Sequence, residues 1–208
     1  MVLVRSSRSA AEPPPVAVAE ADDLPALLAG LDAPDPAVRR RAVRGLGAHP
    51  QAVPELCARL LVEPALSVRT VLFTSLIRLK SPAVVEALVP LLREEDAGLR
   101  NEATEALQEM PEEVAPYIES LLRDPDSDVR ILAIQVLSAL PHSDAPRWLV
   151  QVVEDDPHVN VCAAAVDCLA EVGGDEAVAP LLALKRRFAD RPFVRFAVDL
   201  AVRRIEGR

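Results

Sequence analysis

A nine-residue frame, Val-Arg-x-x-small-x-x-x-Leu, returns along this chain at nearly constant spacing. It reads Val38-Arg39-Ala42-Leu46, then Val68-Arg69-Leu72-Leu76, Leu99-Arg100-Ala103-Leu107 and Val129-Arg130-Ala133-Leu137. Two looser copies follow, Val161-Cys162-Ala165-Leu169 and Val194-Arg195-Val198-Val202. Successive frames begin 30, 31, 30, 32 and 33 residues apart. Such a period marks a stacked array, in which a unit too small to bury its own apolar face leans on its neighbours.

Each unit also holds a segment before the frame with apolar residues at three- and four-residue spacing, as a half-buried helix requires. Examples are PELCARLLV from Pro54, VVEALVPLL from Val84 and PYIESLLR from Pro116. Strand-like alternation is nowhere sustained. Ser81-Pro82 and Asp144-Ala145 read as helix N-caps followed by a first helical residue. Gly173-Gly174 reads as a helix C-terminus, where glycine accepts a positive φ. The expectation is an all-α solenoid of about six helix–turn–helix units over residues 22–208. A disordered arm over residues 1–21, with Pro13 to Pro15 in a small-residue context, precedes it.

The unit resembles the HEAT repeat, in particular the short bacterial type named after phycobilisome lyase subunits. That pattern has a proline in the first helix, an Asp eight residues later and an Arg six beyond. Pro116, Asp124 and Arg130 stand at that spacing. Other units match in part: Glu63 and Glu94 take the acidic place before Arg69 and Arg100, Asp156 precedes Cys162, Ala33 and Ala189 break the pattern, and Pro90 is displaced. The resemblance implies an armadillo/HEAT-like superhelix. It also implies that Arg39, Arg69, Arg100, Asp124, Arg130, Asp156 and Arg195 form a structural ladder between helices and between units. A guanidinium suits that role, because its planar fork of donors satisfies carboxylates and the carbonyls left unpaired at helix ends.

With the frame valine as zero, offsets 0, 4, 8 and 11 of each second helix share an apolar side, and offsets 2, 6 and 9 lie opposite. In HEAT-like arrays this opposite side lines the concave surface. It would present Arg40 and Arg44, then Thr70 and Thr74, then Asn101 and Glu105 with Gln108. Ile131 and Gln135, Ala163 and Asp167, and finally Phe196 and Leu200 complete the series. A surface graded from basic through acidic to apolar suits an extended protein partner better than a small molecule. Phe188, Phe193 and Phe196 make up half of the chain's aromatics. They point either to an exposed contact patch or to a local cap in which the last unit packs on itself, and the cap is the expectation.

Composition excludes several other functions. A net charge of −9 disfavours nucleic acid as the main partner, since phosphate neutralisation needs excess Lys and Arg. Residues 94–176 alone hold 20 acids against four arginines. No stretch approaches the roughly 18 apolar residues of a membrane span, and the three-residue apolar opening before Arg5 is too short for a secretion signal. Cys57, Cys162 and Cys168 form no close-spaced ligand pair, which fits a reduced cytoplasmic setting. His49, His142 and His158 fall in expected loops without a partner at metal spacing. Deoxyhypusine hydroxylases, which share the repeat, bind iron through His-Glu pairs; no His-Glu dipeptide occurs here. HEAT-like proteins that excise alkylated bases need a basic surface with aromatic walls, and the middle units are acidic. The expectation is therefore a non-catalytic scaffold, adaptor or regulator with no cofactor, monomeric or assembled with its protein partner. The alternative, implied only by the resemblance, is a phycobilin-lyase-like protein handling a bilin on a partner protein.

Overall fold

Proline and short polar side chains set where the helices begin. In the computed structural model, which describes residues 23–207, Asp35, Ser81, Asp96 and Asp126 each accept a hydrogen bond from a backbone N–H of the helix they precede. Such a cap satisfies one of the donors that every helix start leaves open. Prolines occupy the first turn of α2, α3, α5, α7 and α12, where their missing N–H costs nothing.

Twelve α-helices result among the described residues, with no strand. They pair as six hairpins: α1 (Leu24–Gly30) with α2 (Pro36–Leu46), α3 (Val53–Val62) with α4 (Leu66–Leu79), and α5 (Pro82–Leu88) with α6 (Ala97–Gln108). α7 (Pro111–Leu121) pairs with α8 (Ser127–Ser138), α9 (Ala145–Asp155) with α10 (Val159–Val172), and α11 (Val178–Arg187) with α12 (Pro192–Glu206). The molecule is an all-α solenoid. Its extensive contacts run within a hairpin or to the next one, with α2, α4, α6, α8, α10 and α12 packed in series. The arm expected over residues 1–21 lies outside the described residues.

The frame residues make the core. Val68, Leu72, Leu76, Ala103, Leu107, Val129, Ala133, Leu137, Val161, Ala165, Leu169, Val194 and Val198 are all buried. The one Trp, Trp148, is buried in α9. Close approach also uses glycine: a Cβ on Gly30 of α1 would lie 2.8 Å from the Ala42 Cβ of α2.

Two local expectations change. Gly173 ends α10 with φ −72°, so it is not there for a left-handed conformation. A Cβ on it would meet the Leu169 carbonyl oxygen at 2.6 Å, and that crowding is what excludes a side chain. The left-handed C-cap falls instead on Lys80, φ 33°, after α4. In the third hairpin, Pro90 cannot donate to the preceding turn, and the first helix continues past Leu88 as a tighter 3-10 stretch, Val89–Arg93.

Candidate functional site

Arg39, Arg100 and Arg130 at the frame position turn into the loop between their own two helices. Arg130 donates from Nη1 to the Asp124 carbonyl at 2.8 Å and the Pro125 carbonyl at 3.3 Å. Its Nε and Nη2 grip Asp156 of the next hairpin at 2.6 and 3.0 Å. Arg39 repeats the pattern, donating to the Ala33 and Pro34 carbonyls and, with two nitrogens, to Glu63 at 2.8 and 2.7 Å. One guanidinium thus closes its own loop and ties the next hairpin on. The carboxylates also accept backbone N–H bonds, Glu63 from Ala65 and Asp156 from His158.

The remaining places differ from the expected ladder. Arg69 meets no acid at the Glu94 position; it lies 3.4 Å from Asp96 and 3.8 Å from Glu102, and its Nε is buried without a hydrogen bond. Arg100 donates to the Glu94 and Glu95 carbonyls of its own loop but not to Asp124. Asp124 is held instead by Arg93, carried there at the end of the 3-10 stretch that Pro90 imposes. Arg195 is exposed, with no later hairpin among the described residues. Where Cys162 replaces arginine, Arg187 reaches back from α11 to the Glu154 and Asp156 carbonyls, the latter at 2.9 Å, and lies 3.1 Å from the Cys162 sulfur. The frame hid these second arginines. A basic residue nevertheless closes the first helix of hairpins two, three, four and six, as Arg59, Arg93, Arg123 and Arg187. Arg187→Ala is expected to lower stability by about 1 kcal/mol in urea melts, since two loop carbonyls lose their charged donor.

The face opposite the core is uncovered along the whole stack. Arg44, Thr70, Thr74, Asn101, Glu105, Gln135, Asp167, Phe196 and Leu200 are exposed, and Arg40 and Ile131 half-buried. Between α4 and α6 this face dips into a groove of about 430 Å³, with Phe73, Ile77 and Ala106 at its apolar side and Glu102, Glu105 and Glu109 around it. Thr70 and Thr74 direct their hydroxyl protons to carbonyls one turn back, so their lone pairs remain available. Gln108 bridges α6 to α8 by donating to the Gln135 carbonyl at 2.8 Å.

The local cap expected at the last hairpin does not form. Phe196 is 67% exposed, Leu200 51% and Phe193 49%. Only Phe188 folds inward, half-buried against the core with the Arg187 guanidinium 4.9 Å from its ring centre. The core is already filled at this end by Val194, Val198, Ala201 and Ile205, and the opposite side of α12 meets no apolar surface among the described residues.

The histidines lie in three separate inter-helix loops, and the His158 Nδ1 is buried without a hydrogen bond. His142 stacks on Trp148 at 4.7 Å and accepts from the Asp144 N–H, while His158 and His49 precede helical turns. Burial raises the Cys57 and Cys168 thiols to about 11, which leaves little thiolate at neutral pH. A cleft of about 370 Å³ beside the Arg130–Asp156 rung is lined by Asp155 and by charged groups paired there, among them Asp124 with Arg93 and Glu119 with Arg123. Among the described residues no group of His, Cys, Asp and Glu is placed to hold a metal, and no helix is long and apolar enough to cross a membrane.

Several solved structures align with most of this chain. Human deoxyhypusine hydroxylase in complex with glycerol is 21% identical, with a TM-score of 0.47 over 89% of this chain and 74% of that one. An engineered protein is 18% identical with a TM-score of 0.42, over 89% and 97%. The complex of CpcE and CpcF of phycocyanin lyase from Nostoc sp. PCC7120 is 24% identical with a TM-score of 0.39, over 86% and 80%. No curated protein matches the chain. The family model for HEAT repeats matches residues 24–108 and 112–203, which span the six hairpins from α1 into α12. This chain belongs to the HEAT-repeat family.

Proposed function

We propose that the chain is a non-catalytic scaffold or adaptor that holds a partner protein along its second-helix face, acting in the cytoplasm of a bacterium. One observation carries this reading. The frame side of each second helix is consumed by packing, while offsets two and six stay open to solvent in all but three cases, which are half-buried. A surface repeated in six registers, varied only in chemistry, is what an array offers an extended ligand. Pro116, Asp124 and Arg130 support the short phycobilisome-lyase type within the family.

The test is capture from the source lysate on immobilised protein. Wild type is expected to retain one stoichiometric protein, and Phe196→Ser to lose it while its melt shifts by less than about 0.5 kcal/mol, because an exposed side chain contributes little to folding. Undiminished capture by the variant would remove the second-helix face from the reading. A shifted visible spectrum of an added linear tetrapyrrole would instead favour pigment handling.

A further inference from the structure

The apolar stripe on α12 is not merely the bare end of a stack. Phe193, Phe196 and Leu200 fall three and four residues apart on one side of the helix. Their equivalents in the interior hairpins, such as Thr70 and Thr74, Asn101 and Glu105, or Gln135, are uncovered although a neighbouring hairpin follows. A seventh hairpin would pack against other positions and leave Phe196 and Leu200 in water. A clustered aromatic and aliphatic stripe in that place, uncovered by any of the described residues, marks a contact site more than scattered exposed groups do.

Charge supplies the second constraint. α6, α8 and α10 carry two arginines, Arg100 and Arg130, and both are turned into loops. The face they share with α12 displays Glu105, Glu109 and Asp167, none of them in an ion pair among the described residues. In the groove between α4 and α6, burial raises the Glu102 carboxyl against the pull of Arg69, and the charges of Asp96 and Glu105 add to that rise. A cation entering the groove would relieve both. Its apolar side, Phe73 and Ile77, fits the methylene stem of a lysine or arginine whose head stays among the carboxylates.

We infer that the partner presents a linear segment in which a Lys- or Arg-rich stretch lies over α4 to α10 and an aromatic or branched aliphatic anchor docks on Phe193, Phe196 and Leu200. This rests on the second-helix face being the binding surface. Anchor residues supply most of the hold, and the charge order sets register and direction along the stack.

The experiment selects peptides from a displayed random library on the full chain. Enriched peptides are expected to combine Lys or Arg with Phe, Trp or Leu, and to weaken as salt is raised. Phe196→Ser combined with Leu200→Ser is expected to weaken them roughly tenfold or more, and Glu105→Arg with Asp167→Arg likewise. Val62→Ser, which alters an exposed apolar residue at the α3–α4 turn, should leave them bound. No enrichment, or enrichment of neutral or acidic peptides, overturns the inference. If neutral or acidic peptides lose binding to the α12 variant, the scaffold reading survives. Peptides that bind the α12 variant as well as wild type sink both. A dimer of the chain that disappears in Phe196→Ser would also overturn the inference, since the cover would then be a second copy.

Discussion

Arg130→Ala is expected to lower the unfolding free energy by about 3 kcal/mol in urea. The side chain is one of few buried charges, in a residue only 9% exposed, and its removal strands the Asp156 carboxylate, itself 7% exposed. Two loop carbonyls lose their donor in the same step. Desolvation makes the difference: a buried pair adds little over an apolar replacement, but half of one is strongly unfavourable. Arg130→Met combined with Asp156→Leu should therefore be less destabilised than Arg130→Ala alone. The rung also joins hairpins four and five, so the single variant is expected to show a shallower denaturant slope as the array unfolds in two parts. A loss below about 0.5 kcal/mol would show that solvent already satisfies the arginine.

Much of this was legible in the sequence, and the illegible part has a common cause. Period, apolar spacing and capping residues are local, and they fixed six hairpins and the buried frame. The family resemblance implied a ladder of frame arginines, and Arg39 and Arg130 each bond both their own loop and the next hairpin. Which carboxylate receives each fork depends on how two hairpins sit together. Arg130 passes over the Asp124 side chain six residues back and takes Asp156, 26 residues ahead. Arg93 serves Asp124 only because a proline tightens the end of its helix, and Arg187 fills a space that a cysteine left in another hairpin. Pro90, Cys162 and the basic residues closing the first helices are visible in the sequence, but which loop each arginine reaches is not. The helical pattern put Phe196 and Leu200 on the side opposite the frame valine, and both side chains are exposed. The expectation of a cap failed because it required every large apolar side chain to find cover within the chain, whereas folded surfaces routinely retain such groups.

Four of the six loops thus receive a charged donor, from whichever helix can reach: Arg39, Arg100, Arg130 and Arg187. At the joint between hairpins one and two, Arg39, Arg59 and the Ala65 N–H all converge on Glu63. Burial alone would push the Glu63 carboxyl up. The hydrogen bonds from Arg39, Ala65 and Arg59, with the charge of Arg59, outweigh it and bring the group from 4.5 down to about 2. A carboxylate depressed by folding stabilises the native state at pH values above its unfolded pKa, and that contribution fades as pH falls toward the folded value. At about 1.4 kcal/mol per pKa unit, Glu63 is expected to contribute about 3 kcal/mol at neutral pH and to lose it between pH about 4.5 and about 2. Other carboxylates titrate in the same window, so the informative quantity is the difference between wild type and Glu63→Gln. That difference should be near 3 kcal/mol at pH 7 and should shrink steadily as the solution is acidified below pH about 4.5. A difference that stays constant across the acid range would mean that Arg39 and Arg59 do not depress this carboxyl. The joint would then be held by packing of α2 on α4 and not by charge.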